Sequence, residues 1–259
     1  MDHITSAKNP VVKDLRALRD RKGREASRRF LVEGEVMLRE ALKCGLAIHD
    51  VLAEEGLAPL AGELEAAGAN AFTVPRSLLE SVTDTRTPQG ICASFDLPRP
   101  LPLDKAPHRV VALDGVQDPG NVGTIWRTAD AAGFQGLLLG AGCADPLSPK
   151  VQRAAMGSGF RLPFMQVGDL PAALTELREK GWAVIASDLH GEDFYSHPDP
   201  GKKFVLVIGS EAHGISEATR AAADMLLKLP MRGGAESLNA AVAAGIMMYE
   251  LMRRIGTVR

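Results

Sequence analysis

Cysteine is scarce in this sequence and poorly spaced for either of its usual structural roles. The 259 residues include three cysteines, Cys44, Cys92 and Cys143, and no CxxC pair. An odd number of scattered cysteines argues against a disulfide framework and against a zinc site. We therefore expect small buried side chains at these positions, in a protein of a reducing compartment.

Long apolar runs and an excess of charge are also lacking. No apolar stretch approaches the roughly 18 residues that cross a bilayer, and the polar N-terminus is unlike a signal peptide. The formal net charge is −2, so the overall charge gives no indication of nucleic acid. With 46% hydrophobic and 24% charged residues, the composition is typical of a globular protein, and we expect a cytoplasmic protein with no membrane partner.

Several common signatures of enzymes are missing. The chain has no GxxxxGK[ST] phosphate loop, no GxSxG and no HExxH. The stretch "GAGCAD", Gly140–Asp145, begins like the dinucleotide fingerprint GxGxxG, but it lacks the third glycine and does not follow the first strand. Glu211 and His213 lie two positions apart on a predicted loop, which is too little for a metal site. We therefore expect no metal, and a nicotinamide-dependent oxidoreductase is a disfavoured alternative.

The distribution of proline divides the chain. Four of the sixteen prolines fall within Asp96–Pro107, a density that neither a helix nor a central strand tolerates. We predict a linker over 98–107, between a domain of residues 1–97 and a domain of residues 108–259. The second domain alternates apolar strands with capped helices, which indicates an α/β fold with a parallel sheet covered on both faces. The first domain is predicted to be smaller and of mixed α/β structure.

Two helices of the second domain bear on function. "NVGTIWRTADAAG" predicts a helix with Asn121 as its N-cap and Gly133 as its stop. The last helix is predicted to begin at Ser237, which is a good N-cap residue. Core burial would explain its one broad apolar face. That face consists of Leu238, Ala241, Val242, Gly245, Met248, Tyr249 and Met252.

Three loops of unusual composition follow predicted strands. Each is richer in Gly, Pro and polar residues than a connection requires. Because parallel strands end on the same side of a sheet, these loops can converge, and ligands bind at that edge. The three stretches are "DGVQDPGNVGTIWRTADAAGF", "VIGSEAHGIS" and "LPMRGGAESLNAAVAAGIMMYELMRR".

In content, order and spacing, these stretches resemble the three motifs of the SpoU (TrmH) family of RNA 2′-O-ribose methyltransferases, within the SPOUT superfamily. The resemblance covers Arg109–Arg254, the predicted second domain. The N-terminal portion resembles the substrate-binding domain common in this family. The stretches that carry this second resemblance are "SAKNPVVKDLRAL", "FLVEG" and "TPQGICASF".

The resemblance implies a fold, a cofactor and an assembly. The C-terminal α/β domain would contain a deep trefoil knot, and the N-terminal α/β domain would resemble RNA-binding ribosomal proteins. The cofactor would be S-adenosylmethionine, held by the knot loops, which agrees with the missing GxGxxG. The protein would be a homodimer through its C-terminal domain, with first-motif residues of one subunit facing the cofactor of the other.

The resemblance also implies the catalytic residues, with Arg127 as the main candidate. Because the pKa of arginine lies above about 12, we expect Arg127 to orient the target phosphate and stabilise the developing alkoxide, while a role as base stays open. Helix capping alone would also explain Asn121 and Ser237. The complete set is Asn121, Arg127, Glu211, Ser237 and Asn239.

Cofactor contacts follow from the same motifs. Gly209, Leu229 and Leu238 match the cofactor-contact positions of the family. A flat adenine needs an apolar slot with backbone hydrogen-bonding groups, which "KLPM" can supply. The complete set is Ile208, Gly209, Leu229, Pro230, Met231 and Leu238.

One segment is strongly basic although the whole chain is not. Residues 8–29 contain nine Lys or Arg against three acidic residues. A solvated helical face or a footprint for RNA phosphates would explain this charge. Few aromatics interleave, so no base-stacking platform is indicated. The predicted RNA-binding residues are Lys8, Arg21, Lys22, Arg24, Arg28 and Arg29.

Together these features predict an S-adenosylmethionine-dependent RNA 2′-O-methyltransferase that acts on ribosomal RNA. The preference for rRNA depends on analogy with the N-terminal domain, and tRNA is the first alternative. A non-catalytic RNA-binding or ribosome-assembly protein of the same fold is the second. Roles for His213, Arg232 and Glu236, and the identity of the modified nucleotide, stay open.

Overall fold

The structure, a computed structural model, describes residues 1–83, 85, 87–98, 100–101, 108–197 and 199–256. The chain forms two units: Met1–Pro98 with Leu147–Phe160, and Arg99–Pro146 with Arg161–Arg259. The first unit therefore includes a segment from near the start of the second half of the sequence. The predicted boundaries 1–97, 98–107 and 108–259 stay a proposal, and Arg99 and 102–107 of that linker lie outside the described residues.

The first unit is built around a five-stranded sheet in the order β1-β4-β3-β5-β2. Strand β5 is antiparallel to β2 and β3, while β4 is parallel to β3 and β1. The strands are β1 Asp2–His3, β2 Arg29–Glu33, β3 Ile48–Ala53, β4 Asn70–Thr73 and β5 Ile91–Asp96. The helices are α1 Pro10–Ala17, α2 Arg21–Ser27, α3 Glu35–Lys43, α4 Ala58–Ala66 and α5 Arg76–Thr83, and a 3-10 turn lies at Glu55–Leu57.

Alternation along these strands gives the sheet two apolar faces. On β2, Phe30 and Val32 join the core that packs α3 and α4, while Leu31 joins the core that packs α1 and α5. This period of two is what a strand buried on both faces produces. The segment Leu147–Phe160 joins the first core through Leu147 and Phe160, and the Phe160 ring lies 5.9 Å from that of Phe30.

The second unit contains a six-stranded sheet in the order β11-β9-β10-β6-β7-β8, and every pairing within it is parallel. The predicted parallel sheet is therefore confirmed. Its strands are β6 Arg109–Asp114, β7 Gly136–Leu139, β8 Phe164–Gln166, β9 Ala183–Asp193, β10 Phe204–Gly209 and β11 Met225–Lys228. The helices that follow α5 are α6 Pro119–Ala132, α7 Pro149–Ala155, α8 Ser158–Arg161, α9 Leu170–Glu179, α10 Glu217–Ala222 and α11 Ala240–Arg254. Helix α7 and all of α8 except its last residue belong to the first unit.

Helix α6 begins three residues earlier than the sequence predicts, because Asp118 and not Asn121 is its N-cap. The Asp118 carboxylate accepts a hydrogen bond from the backbone N–H of Asn121 at 2.8 Å. Pro119 occupies the first turn, where its missing N–H costs nothing. The predicted stop at Gly133 is confirmed, with φ at 82°. The side chain of Asn121 is thereby released for another use.

Helix α11 corrects the second capping prediction. Asn239 is its N-cap, and the side chain accepts hydrogen bonds from the backbone N–H groups of Ala241 and Val242 at 2.9 and 3.3 Å. Ser237 lies in the exposed loop before the helix. Of the predicted apolar face, Met248 and Met252 are buried, while Val242 and Tyr249 are 52% and 44% exposed in the single chain. The buried stripe is Ala240, Ala241, Ala244, Met247, Met248, Leu251 and Met252.

The expectation of buried cysteines is confirmed for Cys92, whereas Cys44 and Cys143 are only partly buried. None of the three forms a disulfide. Burial raises the pKa of the Cys92 thiol far above its usual range, and burial also raises the pKa of the Cys143 thiol. Neither of these two thiols is therefore a reactive thiolate at neutral pH. In the described part of the chain, no helix has the length and hydropathy that crossing a membrane requires.

Candidate active site

The carboxyl ends of β6, β10 and β11 bring the three polar loops together, as the sequence predicts. Strand β6 leads to α6, where Asn121 lies in the first turn. Strand β10 lies beside β6 and leads to Glu211, and the loop after β11 leads to Asn239. Residues about 90 and 118 positions apart therefore meet at one edge of the sheet.

Asn121, Glu211 and Asn239 form one directed chain of hydrogen bonds. The Asn239 Nδ2 donates to the Asn121 Oδ1 at 3.0 Å, and the Asn121 Nδ2 donates to the Glu211 Oε1. Because the Asn239 Oδ1 already accepts from the start of α11, the orientation of both amides is determined. The chain thus joins all three motif loops and ends on a carboxylate.

This arrangement makes Glu211 a positioned acceptor at the protein surface. Glu211 is exposed, and one carboxylate oxygen is held by Asn121. A carboxylate oxygen can accept more than one hydrogen bond, so Glu211 can still receive a donor such as a hydroxyl group. The site therefore supplies an oriented acceptor for a proton or a hydroxyl, with an amide network behind it.

A cavity of about 290 Å³ lies beside this network. Its wall combines apolar side chains with polar loop backbone, which suits a ligand that has a flat base and charged ends. Five of the six predicted cofactor residues line it, together with the predicted catalytic residues Glu211 and Ser237. The five are Ile208, Gly209, Leu229, Met231 and Leu238.

Gly209 has a packing reason to be a glycine. A Cβ at this position would lie 2.2 Å from the carbonyl carbon of Gly214 and 2.3 Å from the Ile215 nitrogen. Any larger residue would push the Glu211 loop away from the end of β10. The sixth predicted residue, Pro230, lines an adjoining crevice of about 230 Å³ that also contains Arg232.

A buried ion pair in the cavity was missed by the sequence analysis. Asp188, whose side chain is 3% exposed, pairs with Arg220 of α10. The Asp188 Oδ1 also accepts a hydrogen bond from the His190 backbone N–H at 2.7 Å, and all three residues line the cavity. The available signal was the position of Asp188 in "ASDL", near the carboxyl end of an apolar strand.

Arg127 lies outside this cavity in its own chain. It is on the exposed side of α6, and none of the described residues makes a hydrogen bond or ion pair with it. The described residues also contain no group of three His, Cys, Asp or Glu side chains that could hold a metal ion.

The basic N-terminal segment divides into exposed and structural cations. Arg24 is 3% exposed and donates to the carbonyls of Leu18 and Arg19 at 2.7 Å each, so its prediction as an RNA contact is wrong. Arg29 pairs with Asp50 at 3.2 Å. Four predicted contacts are exposed, namely Lys8, Arg21, Lys22 and Arg28.

Two family models match the chain. Residues 108–249 match the SpoU rRNA Methylase family. Residues 9–93 match the MRM3-like substrate binding domain. The two matches correspond to the two resemblances found in the sequence.

Relatives match over almost the whole chain. The 23S rRNA (guanosine(2553)-2′-O)-methyltransferase RlmP of Bacillus subtilis (strain 168) is 38% identical, over 97% of this chain and 99% of its own length. An AdoMet-bound rRNA methyltransferase from Sinorhizobium meliloti is 35% identical, with a TM-score of 0.86 and coverage of 97% of both chains. The SpoU methyltransferase AviRb from Streptomyces viridochromogenes, in complex with AdoMet, is 30% identical, with a TM-score of 0.84 over 95% of this chain and 98% of that chain. With these matches, and with three motif loops that meet at one sheet edge, the chain belongs to the SpoU rRNA methylase family.

Proposed function

We propose that the protein transfers a methyl group from S-adenosylmethionine to a ribose 2′-hydroxyl of ribosomal RNA. The observation that carries this proposal is the Asn239–Asn121–Glu211 network at the edge of the cavity that the motif loops line. It supplies an oriented acceptor for a hydroxyl group beside a site for the methyl donor.

Ribosomal RNA is preferred over tRNA as the substrate. The Bacillus subtilis relative that matches 97% of this chain has 23S rRNA in its name, and the Sinorhizobium meliloti protein is described as an rRNA methyltransferase. Both matches include the N-terminal unit as well as the methylase domain. The composition supports a cytoplasmic location for this reaction.

The residues present fit S-adenosylmethionine. Leu229, Met231 and Leu238 provide apolar surface for the adenine, and the loop backbone around Gly209 provides hydrogen-bonding groups. The pair of Asp188 and Arg220 brings both signs of charge to the cavity, which suits the amino and carboxylate groups of a methionine moiety. When bound, the cofactor supplies a methyl group already activated on a sulfonium.

The chain's own residues then position the hydroxyl and its charge. Glu211, oriented by Asn121, accepts the hydrogen bond of the ribose hydroxyl, and its carboxylate takes the hydroxyl proton as that oxygen reacts. Arg127 orients the neighbouring phosphate and stabilises the oxygen as negative charge develops. Because a guanidinium remains protonated below about pH 12, electrostatic stabilisation is the role that its chemistry favours.

A homodimer would bring Arg127 to a site that it does not reach in its own chain. Helix α11 exposes the apolar side chains of Val242, Ile246 and Tyr249, and Leu238, in the loop just before the helix, continues this stripe. All four are between 37% and 52% exposed. These positions recur at helical spacing on one side of α11, which is typical of a helix that packs against a partner. We propose that this stripe is the subunit interface and that each active site receives Arg127 from the other subunit.

The proposal is tested by following transfer of labelled methyl from S-adenosylmethionine to rRNA from cells that lack the protein, with tRNA as the comparison. Wild-type protein should label rRNA, and nuclease digestion should place the label on a ribose. Asn121→Ala and Arg127→Ala should lower kcat by about 100-fold, as loss of a positioned group in a polar site commonly does.

The matched control is Thr124→Ala, an exposed substitution on the same face of α6, which should leave kcat within twofold. Unchanged kcat in Arg127→Ala would remove Arg127 from the mechanism. Binding of rRNA without any methyl transfer or cofactor binding would favour the non-catalytic ribosome-assembly alternative.

A further inference from the structure

We propose that the N-terminal unit contains a pocket for a single unstacked guanine base of the substrate RNA. A cavity of about 370 Å³ lies between α1, α2 and the polar end of the sheet. Leu15, Leu18 and Ala26 form apolar walls, and Arg29, Asp50 and Ser94 form a polar floor. This inference rests on the proposed function only in taking RNA as the partner.

The walls are held in place by two close contacts between α1 and α2. A Cβ on Gly23 would lie 2.0 Å from the Ala17 carbonyl oxygen, so only glycine lets α2 approach the end of α1 this closely. The buried Arg24 guanidinium donates to the Leu18 and Arg19 carbonyls. The pocket is therefore preformed, which reduces the conformational entropy that a ligand must remove on binding.

The floor of the pocket is an ordered set of polar groups that can still accept further hydrogen bonds. The Asp50 Oδ2 accepts from the Arg29 Nη1 at 3.2 Å, and the Oδ1 accepts from the Asn70 Nδ2 at 3.1 Å. Its backbone N–H donates to the Oγ of Ser94, which is 1% exposed. Each carboxylate oxygen can accept a second hydrogen bond, so Asp50 can receive two more donors.

The Watson–Crick edge of guanine matches this floor. It places two adjacent donors, N1–H and N2–H₂, where one carboxylate can accept both, and its O6 beside them needs a donor. The Arg29 guanidinium, 36% exposed, has five N–H groups and can serve O6 while it remains paired to Asp50. Adenine and inosine each offer a carboxylate one donor fewer, so guanine is the base that the floor favours.

The surroundings suit a single strand of RNA. Specific recognition of RNA mostly uses bases that have left the stack and are read on their edges. Lys13, Lys22 and Arg28 are exposed cations adjacent in the chain to residues that line the pocket, and they can hold the flanking phosphates. Hydrogen bonds to the base edge, and not aromatic stacking, would supply the specificity.

The test measures binding of the full-length protein to fluorescent pentanucleotides at one fixed salt concentration. The probes are UUGUU, UUIUU with inosine and UUAUU. Wild-type protein should bind UUGUU about 10-fold more tightly than the other two, in the range that a bidentate base contact gives. Asp50→Asn should reduce this preference to less than about twofold.

Two further variants serve as a charge control and as a second test of the pocket. Glu65→Gln is the matched control, because it removes the same charge from an exposed position on α4, on the other face of the sheet, and it should retain the preference. Ala26→Phe fills the pocket from its wall and should abolish the preference if Asp50→Asn does not fold. Equal affinity of wild-type protein for the three probes, or a preference that survives Ala26→Phe in folded protein, would overturn the proposal.

Methyl transfer to rRNA, measured on the same preparations, separates this proposal from the proposed function. Transfer by wild-type protein without any guanine preference would remove the pocket and leave the methyltransferase. A guanine preference without transfer would leave the pocket and remove the proposed activity.

Discussion

At the scale of single residues, the site depends on amide side chains that accept a hydrogen bond with their oxygen and donate one with their nitrogen. Asn239 accepts from the backbone of α11 with its oxygen and donates to Asn121 with its nitrogen. Aspartate could cap the helix equally well, but it could not donate. The choice of asparagine is therefore explained by the network and not by the cap.

Asp188→Asn should destabilise the protein and weaken cofactor binding. The Asp188 carboxylate is 3% exposed and paired with Arg220, so its loss leaves a partly buried guanidinium with only the exposed carboxylate of Glu217 as a counter-charge. Removing a charged hydrogen-bond partner of this kind costs about 2 kcal/mol. Urea unfolding measures the stability, and titration with S-adenosylmethionine measures the affinity.

Glu217→Gln is the control for this prediction. Glu217 also contacts Arg220, at 3.5 Å, but its side chain is 89% exposed. An exposed pair of this kind contributes less than about 1 kcal/mol. If the two variants lose equal stability, burial of Asp188 is not the cause.

At the scale of elements, the start of α11 combines helix capping with the polar network. Asn239→Ala should lower the free energy of unfolding by about 1 kcal/mol through loss of the cap and should also lower kcat. Ser237→Ala should leave stability within about 0.5 kcal/mol, because Ser237 does not cap the helix. Thermal unfolding and methyl-transfer rates of the two variants provide the comparison. Equal destabilisation would show that Ser237 stabilises the start of α11 as much as Asn239 does.

The other end of α11 should make stability depend on acid pH. Hydrogen bonds from Arg253, and then from Arg254, lower the pKa of Glu250 from its ordinary value of 4.5 to about 2. Arg254 also donates to the carbonyls of Phe194 and His197 at 2.9 Å, so this pair joins α11 to the end of β9. Because the pKa is lower in the folded state, the stabilisation is complete above pH 4.5 and disappears as the pH falls towards 2.

Glu250→Gln removes this dependence and gives the measurement. The variant should be less stable than wild-type protein at pH 7, and the difference between the two should shrink between pH 4.5 and 2. Urea unfolding at pH 6, 4 and 3 follows the change. A constant difference at every pH would show that Glu250 does not titrate with the expected pKa.

At the scale of the whole molecule, the apolar stripe on α11 should control assembly. Val242→Asp should convert the proposed dimer to a monomer and abolish methyl transfer, because a carboxylate cannot be buried in an apolar interface without a partner. Sedimentation velocity measures the mass. Val36→Asp is the control, since Val36 is 72% exposed on α3 and should leave mass and activity unchanged. A dimer that persists in Val242→Asp would exclude this face.

The exposed cations of the N-terminal unit should contribute long-range attraction for RNA. Lys22→Glu combined with Arg28→Glu should weaken rRNA binding and flatten the dependence of affinity on salt, by about 0.7 in log–log slope for each lost phosphate contact. A variant with Lys43→Glu and Lys202→Glu makes the same change in net charge at other exposed positions. Equal slopes in the two variants would show that only net charge matters.

Particular residues show which features of the fold and the site were predictable from the sequence. The parallel sheet and the convergence of three loops followed from apolar periodicity and from the rule that ligands bind at strand carboxyl ends. The cap at Asn121 was wrong because Asp118 beside Pro119 competes for the same helix start. Arg24 was misjudged because its local sequence is basic, while its burial depends on how α2 meets α1.

By itself, the sequence determined the strands, the helices and the motif loops, because periodicity, capping residues and glycines act over a few neighbouring positions. It did not determine which polar side chains would touch. Asn121, Glu211 and Asn239 meet only because β6 and β10 are adjacent in the sheet and α11 packs back on α6. The burial of Asp188 and the cavity between α1 and α2 likewise depend on packing between distant segments, so only the tertiary structure decided them.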